Sequence, residues 1–308
     1  MTADWVAASV RARALTRRRL GRAGAERLAG APSLASAVTA LARTPYGRDV
    51  ESGMDLRAAT HGVFATLLWH LRVLAGWAPA RGAERVRLLA AGFEIANVTA
   101  RLARLEGCPA PPDYDLGRAW RSLAAARSAQ DVRRALAASS WGDPGTAESA
   151  EIRMALQASW ARRVADGVPE AAEWALSFAA LVLARAVAAG TPPAAGGRAG
   201  RDLRSMLGWH WEGVRMLPEL ARRLPSSTAW LLDGIAGGDE LWRAEARWWT
   251  RLESGGAKLA LRPLPQPASV VGVAGLLAAD AWRTRAALEC AARGGDALAL
   301  SELCDALA

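Results

Sequence analysis

The stretch "GFEIANVTARLARLEG", residues 92–107, sets the fold class. At 100° per residue Ile95, Val98, Leu102 and Leu105 share one apolar arc, so the segment reads as an amphipathic helix. Glu94, Asn97, Arg101 and Arg104 form a polar stripe along the edge of that arc, not opposite it. A surface helix ordinarily keeps its charges on the far side. The stripe therefore needs a reason of its own.

Working outward, the same helical pattern fills the chain. It has 308 residues, enough for one large domain or two to three small ones with a sizeable core. Apolar residues make up 52%, with Ala, Leu and Arg dominant and Val, Ile, Thr, Tyr and Phe sparse, so an all-α protein is expected. Three stretches read as connections: "CPAPPDYD" (108–115), "GTPPAAGGRAG" (190–200) and "ESGGAKLALRPLPQPAS" (253–269). The apolar runs "WALSFAALVLA" and "ASVVGVAGLLAA" are shorter than the roughly 20 residues a membrane span needs. No secretory signal is recognisable at the N-terminus, so a soluble cytoplasmic chain is expected.

Landmarks recur along the sequence. Leu41–Gly47 and Leu136–Gly142 both fit L-x-x-[TS]-x-[YW]-G, with Thr44 and Tyr46 in the first and Trp141 in the second. Thr228-Ala229-Trp230 is a weaker third copy. An acid followed by an apolar residue comes nine or ten residues after each aromatic: Asp55-Leu56, Glu151-Ile152 and Glu240-Leu241. Further on, Asp280 and Arg283 match Glu94 and Asn97, each pair opening an apolar seam that ends on glycine. The middle copy, "ALSFAALVLARAVAAG", has the glycine but no acid at the matching place. Asp115-Leu116 and Asp202-Leu203 echo one another at the entry to the second and third copies. Three related helical units follow.

In order and spacing these landmarks resemble the C/d-subunit family of the V-type (A/V-type) ATPases. The resemblance rests on Val10-Arg11-Ala12-Arg13-Ala14-Leu15, then Leu41 to Tyr46, then Asp55-Leu56, then Glu94-Ile95-Ala96-Asn97-Val98, and finally the helix from Asp280 to Arg293. It is strongest over residues 5–107 and weakest around 145–220. It implies three similar helical units, near residues 1–110, 111–200 and 201–308, arranged as a funnel around a pseudo-threefold axis. It also implies a non-catalytic protein on the cytoplasmic face of the membrane, resting on the proteolipid ring and receiving the tip of the central rotor shaft. No cofactor, metal, nucleic acid or small-molecule substrate is implied.

The structural or partner-contact residues implied are Arg11, Arg13, Thr44, Tyr46, Asp55, Glu94, Asn97, Arg101, Trp141, Glu151, Trp230, Glu240, Asp280 and Arg283. In a funnel the polar stripe of residues 94–104 lies on a partly wet inner wall beside a packed seam. Glu94 is then half-buried and needs a basic partner, because an unpaired buried carboxylate costs several kcal/mol; Arg43 and Arg57 are the candidates. Departures are the missing acid in the second unit, Trp in place of Tyr at 141 and 230, and the Ala/Gly/Pro-rich segment 190–200. These keep open a diverged helical scaffold or regulator that has the fold without the motor role.

The rest of the sequence argues against chemistry. The net charge is +9, almost all from arginine, with Lys258 the only lysine. The run Arg17-Arg18-Arg19-Arg22 reads as a solvated helix face in a chain without a nucleic-acid-binding module. Cys108, Cys290 and Cys304 have no C-x-x-C spacing. His61 and His70 fall on opposite helix faces, and His210 is flanked by Trp209 and Trp211. No nucleotide-binding, hydrolase or zinc-protease motif occurs, and "DYDL" (113–116) lacks the Asp-rich pattern of helical isoprenoid synthases. Trp242, Trp248 and Trp249 read as core packing.

Overall fold

The structure is a computed structural model that describes residues 3–117, 120–262, 266–295 and 300. Cys304 lies outside the described residues. The protein is all-α, with no strand among the described residues. In chain order the helices are α1 (Ala3–Thr16), α2 (Gly21–Ala29), α3 (Leu34–Leu41), α4 (Leu56–Trp77), α5 (Ala80–Ala90), α6 (Gly92–Leu105), α7 (Arg121–Ala125) and α8 (Ala129–Ala137). Then come α9 (Ser149–Gly167), α10 (Ala172–Ala188), α11 (Arg198–Leu207), α12 (Leu217–Arg223), α13 (Ser226–Ala229), α14 (Leu241–Ala260) and α15 (Pro267–Ala292). Side-chain caps fix several starts. Asp55 accepts from the Ala58 amide at 2.7 Å ahead of α4, and Ser128 from the Asp131 amide at 3.1 Å ahead of α8.

The helices gather into two compact units, Met1–Ala90 with Trp249–Ala308, and Ala91–Trp248. In the first, α15 packs against α1, α2, α3, α4 and α5. Its buried positions run from Ala268 to Ala291 and cover every side of the first half, while the second half keeps one partly exposed stripe with the Arg285–Glu289 pair. Gly272 lets α14 come close: a Cβ there would lie 2.6 Å from the Gly256 carbonyl oxygen. The glycines expected to open a connection at 253 instead serve this approach, and α14 runs on to Ala260.

In the second unit α10 packs on α9 and α11, burying Leu181 and Leu183. With the turn before it, Pro169–Ala188 is long and apolar enough to cross a membrane, yet 67% of an apolar 18-residue stretch within it is buried. A second centre holds the apolar arc of α6. Ile95, Val98 and Leu102 pack with Leu123, Val132, Leu136, Trp141, Ile152 and Leu156, and Leu105 lies at the margin.

One packing rule recurs within the units. Each long helix that follows a [TS]-x-[YW] turn lies on the long helix that ends the copy before it, and the first copy is met by the last. In the first unit α4 lies on α15; in the second α9 lies on α6. The first turns of α14 lie on α10, where the Trp248 indole N–H donates to the Trp174 carbonyl at 2.9 Å. The compact units are consequently not the sequence divisions 1–110, 111–200 and 201–308. Sequence copies record the order of motifs, whereas compactness follows from which helices bury one another. That places α6 with the residues after it and α15 with residues 1–90.

Candidate functional site

The repeated landmarks converge into clasps, each joining the acid of a long helix to the aromatic of a [TS]-x-[YW] turn. In the first unit the turn is built by Thr44. Its Oγ1 donates to the Leu41 carbonyl at 2.6 Å and accepts from the Tyr46 amide at 3.2 Å. This caps the 3₁₀ turn Pro45–Arg48 and sends Tyr46 inward, where it is buried. Gly47 is required because a Cβ would lie 1.9 Å from the Ala42 carbonyl oxygen. The Tyr46 hydroxyl donates to Asp280 Oδ2 at 2.8 Å.

Asp280 is 1% exposed and accepts two more bonds. The Leu20 and Gly21 amides donate to its two oxygens, each at 2.8 Å. They open α2, so a carboxylate from a helix 260 residues away satisfies donors that α2 leaves free and lies at the positive end of its dipole. Burial first, and then the Asp280 charge, hold the Tyr46 phenol well above its usual range, so it remains a donor. One turn on, the 8%-exposed Arg283 pairs with Glu253, which also faces Arg19 at 3.6 Å.

The second unit repeats the turn. Ser139 Oγ donates to the Leu136 carbonyl at 2.7 Å and accepts from the Trp141 amide at 3.1 Å, and Gly142 follows with φ +75°. The Trp141 indole N–H donates to Glu94 Oε2 at 2.6 Å, and the Arg163 guanidinium lies 4.9 Å from the indole ring centre. Glu94 is half-buried as expected, but its partner is this indole and not Arg43 or Arg57, both of which are exposed. An indole N–H satisfies one carboxylate lone pair without bringing a second charge into the core.

The remaining polar stripe of α6 grips the connection that follows the helix. The Asn97 amide donates to the Tyr114 carbonyl at 2.9 Å and accepts from the Tyr114 amide at 2.7 Å, as a paired strand would. Arg101 donates to the Ala126 carbonyl, and Arg104 to the Pro111 carbonyl at 2.8 Å and to Asp113. The stripe thus serves backbone groups of residues 111–126 while Glu94, Arg101 and Arg104 stay partly exposed.

Beside this clasp stands a carboxylate whose role the sequence did not disclose. Asp202, 6% exposed, accepts from Arg162 Nε at 2.9 Å and from Arg198 Nε at 3.0 Å. Arg198 also reaches the Trp141 carbonyl at 3.5 Å. The echo of Asp115-Leu116 with Asp202-Leu203 marked the position but not its two arginine partners.

The third turn is the exception. Thr228 Oγ1 donates to the Pro225 carbonyl at 3.0 Å, but the Trp230 indole N–H donates to the Ser227 carbonyl at 2.8 Å, within its own turn. This fits the absence of an acid at the matching place in α10.

The other landmarks stand apart from these clasps. Asp55 is the cap of α4, and Glu151 is exposed in the first turn of α9. Glu240 accepts from the Ala236 amide at 2.8 Å and pairs with Arg243 at 3.0 Å. Arg11 lies 5.8 Å from the centre of the Trp77 ring, and Arg13 donates to the Arg262 carbonyl at 3.2 Å. Separately, His70 is 4% exposed and its Nε2 has no hydrogen-bond partner among the described residues. Burial, then Arg18 and Arg48, lower its pKa to about 4, with Asp49 opposing them.

No protein-family model matches the chain, and no curated protein matches it. The arrangement itself holds carboxylates with fixed donors on all sides. It can lock helices together; no nucleophile and base are aligned in either clasp.

Proposed function

We propose that the protein is a non-catalytic central-rotor component of a V-type ATPase. In this reading it couples the central shaft to the membrane proteolipid ring at the cytoplasmic face, for ATP-driven transport of an ion, which we take to be the proton. The observation that carries the reading is the recurrence of one packing rule at three places, twice with its acid–aromatic clasp (Tyr46–Asp280 and Trp141–Glu94). That recurrence supports the family resemblance drawn from motif order, and with it the threefold funnel that the resemblance implies.

Such a part works by holding shape under load. Torque passes through packed helices without a bond being made or broken, and close-packed interiors have low compressibility. Buried clasps add specificity of register to that stiffness. A net charge of +9 favours encounter with acidic partner surfaces, mainly through association rate.

The test is genetic and biochemical. The chain should co-purify with shaft and ring proteins from its native membranes. Its deletion should leave ATP hydrolysis by the soluble sector largely intact and abolish ion pumping. Pumping at an unchanged ion-to-ATP ratio without the chain would overturn the reading.

A further inference from the structure

The helix α1 is apolar on two sides. Ala8, Ala12 and Leu15 are buried, yet Val6 and Val10, one turn apart on the opposite side, are 46% and 63% exposed. Two more exposed apolar side chains are linked to α1 through its arginines. Trp77, 52% exposed, is tied to α1 by the Arg11 guanidinium over its ring. Leu261, 80% exposed, stands beside the Arg262 carbonyl that Arg13 holds at 3.2 Å. Four of the seven large apolar side chains exposed among the described residues therefore gather around one helix. Scattered single exposures need no explanation, but several gathered at one helix do.

Exposed arginines stand beside this group. Arg13 shares the face of Val6 and Val10, and Arg17 and Arg18 follow at the end of the helix, all three exposed. No carboxylate pairs with any of them among the described residues, although ion pairs are common elsewhere on the surface. Exposed aliphatic side chains, a nearby tryptophan and guanidinium groups without carboxylate partners among the described residues suit an anionic lipid surface.

We infer that the exposed face of α1 docks on an anionic phospholipid surface. Val6 and Val10 enter the headgroup–acyl boundary, Trp77 lies at headgroup level, and Arg13, Arg17 and Arg18 meet lipid phosphates. The inference does not rest on the rotor reading, since it concerns the isolated chain and lipid alone.

The test is co-sedimentation of the full chain with phosphatidylcholine vesicles, with and without phosphatidylglycerol, at low and physiological salt. Binding is expected only with phosphatidylglycerol and should weaken as salt rises. Arg13→Glu combined with Arg17→Glu should lower affinity on the order of tenfold or more. Val10→Asp should weaken binding without changing the melting temperature, because Val10 is exposed. Trp209→Ser, which alters an exposed tryptophan of the other unit, should leave binding unchanged. Equal binding to neutral vesicles, no binding at all, or binding untouched by the α1 variants would overturn the inference. So would capture of the α1 face by an acidic protein in place of vesicles.

Discussion

Asp280 and Glu94 occupy matched places on two long helices, and each receives the aromatic of a [TS]-x-[YW] turn. Their surroundings differ. Asp280 is 1% exposed and carries three donors at 2.8 Å, two of them backbone amides at the start of α2. Glu94 is half-buried and carries one donor, the Trp141 indole. Burial and hydrogen bonding rise together, as they must if a carboxylate is to remain tolerable away from water. The shorter acid is used where rigid amides must be met closely. The longer one is used where a single indole is reached and water can complete the shell. The residue three positions on differs in the same sense: Arg283 adds an ion pair with Glu253, whereas Asn97 clasps a neutral backbone.

Breaking the deeper clasp should have the largest effect. Asp280→Leu leaves the Tyr46 hydroxyl and the Leu20 and Gly21 amides without an acceptor, at a cost of about 4 kcal/mol. Denaturant unfolding combined with amide hydrogen exchange should place the loss in the unit holding α15 and spare the unit holding α10. A loss below about 1 kcal/mol would show that the three bonds are not structural.

Acid should separate the two units next. His70 belongs to the first, and its pKa is lowered from 6.5 to about 4. As pH falls below 6.5 the unfolded chain takes up a proton that the folded chain refuses until about 4. Stability present above pH 6.5 is therefore lost across that window, by about 3 kcal/mol for this group. The difference between wild type and His70→Leu, measured by denaturant midpoint from pH 7 down, isolates it. A parallel pH dependence of the two proteins would refute the assignment.

Smaller effects sharpen the contrast. Tyr46→Phe removes only a hydroxyl and one bond to a buried carboxylate, for about 2 kcal/mol. Glu94→Leu, which keeps much of the volume and strands one indole N–H, should cost about 1 kcal/mol. Equal costs for these two would mean that the clasps are energetically equivalent despite their different burial. A melting temperature unmoved by Glu94→Leu would remove the structural role of the shallower clasp altogether.

Much of this arrangement was legible in the sequence. The scarcity of strand formers fixed the helical class, and the period of residues 95–105 named the seam that is buried. The landmarks Thr44, Tyr46, Trp141, Glu94 and Asp280 were all visible as repeats. What the sequence could not disclose was that they are partners. Aligning Glu94 with Asp280 treats both as copies of one position. The physical pairing instead runs from each acid to the aromatic of the following copy, 47 and 234 residues away. A charge rule pointed Glu94 to an arginine, because a neutral indole donor leaves no charge signature. The partner of Asn97 is backbone, which carries no side-chain signal at all. Likewise Gly255-Gly256 reads as a helix breaker until a second helix, approaching at Gly272, gives the missing Cβ a purpose.

The return of α15 to residues 1–90 also orders events in time. Residues 91–248 form a unit continuous in sequence, so all of it has been synthesised before α15 is made. Residues 1–90 have no such option. The surfaces of α1 to α5 that cover α15 stay uncovered, and the start of α2 lacks its Asp280 acceptor, until α15 has been translated. Residues 1–90 are thus synthesised before residues 91–248 and completed after them. That interval is when their apolar faces are most open to aggregation or to a chaperone. A released chain truncated before residue 267 should hold a protease-resistant second unit and a protease-sensitive N-terminal one.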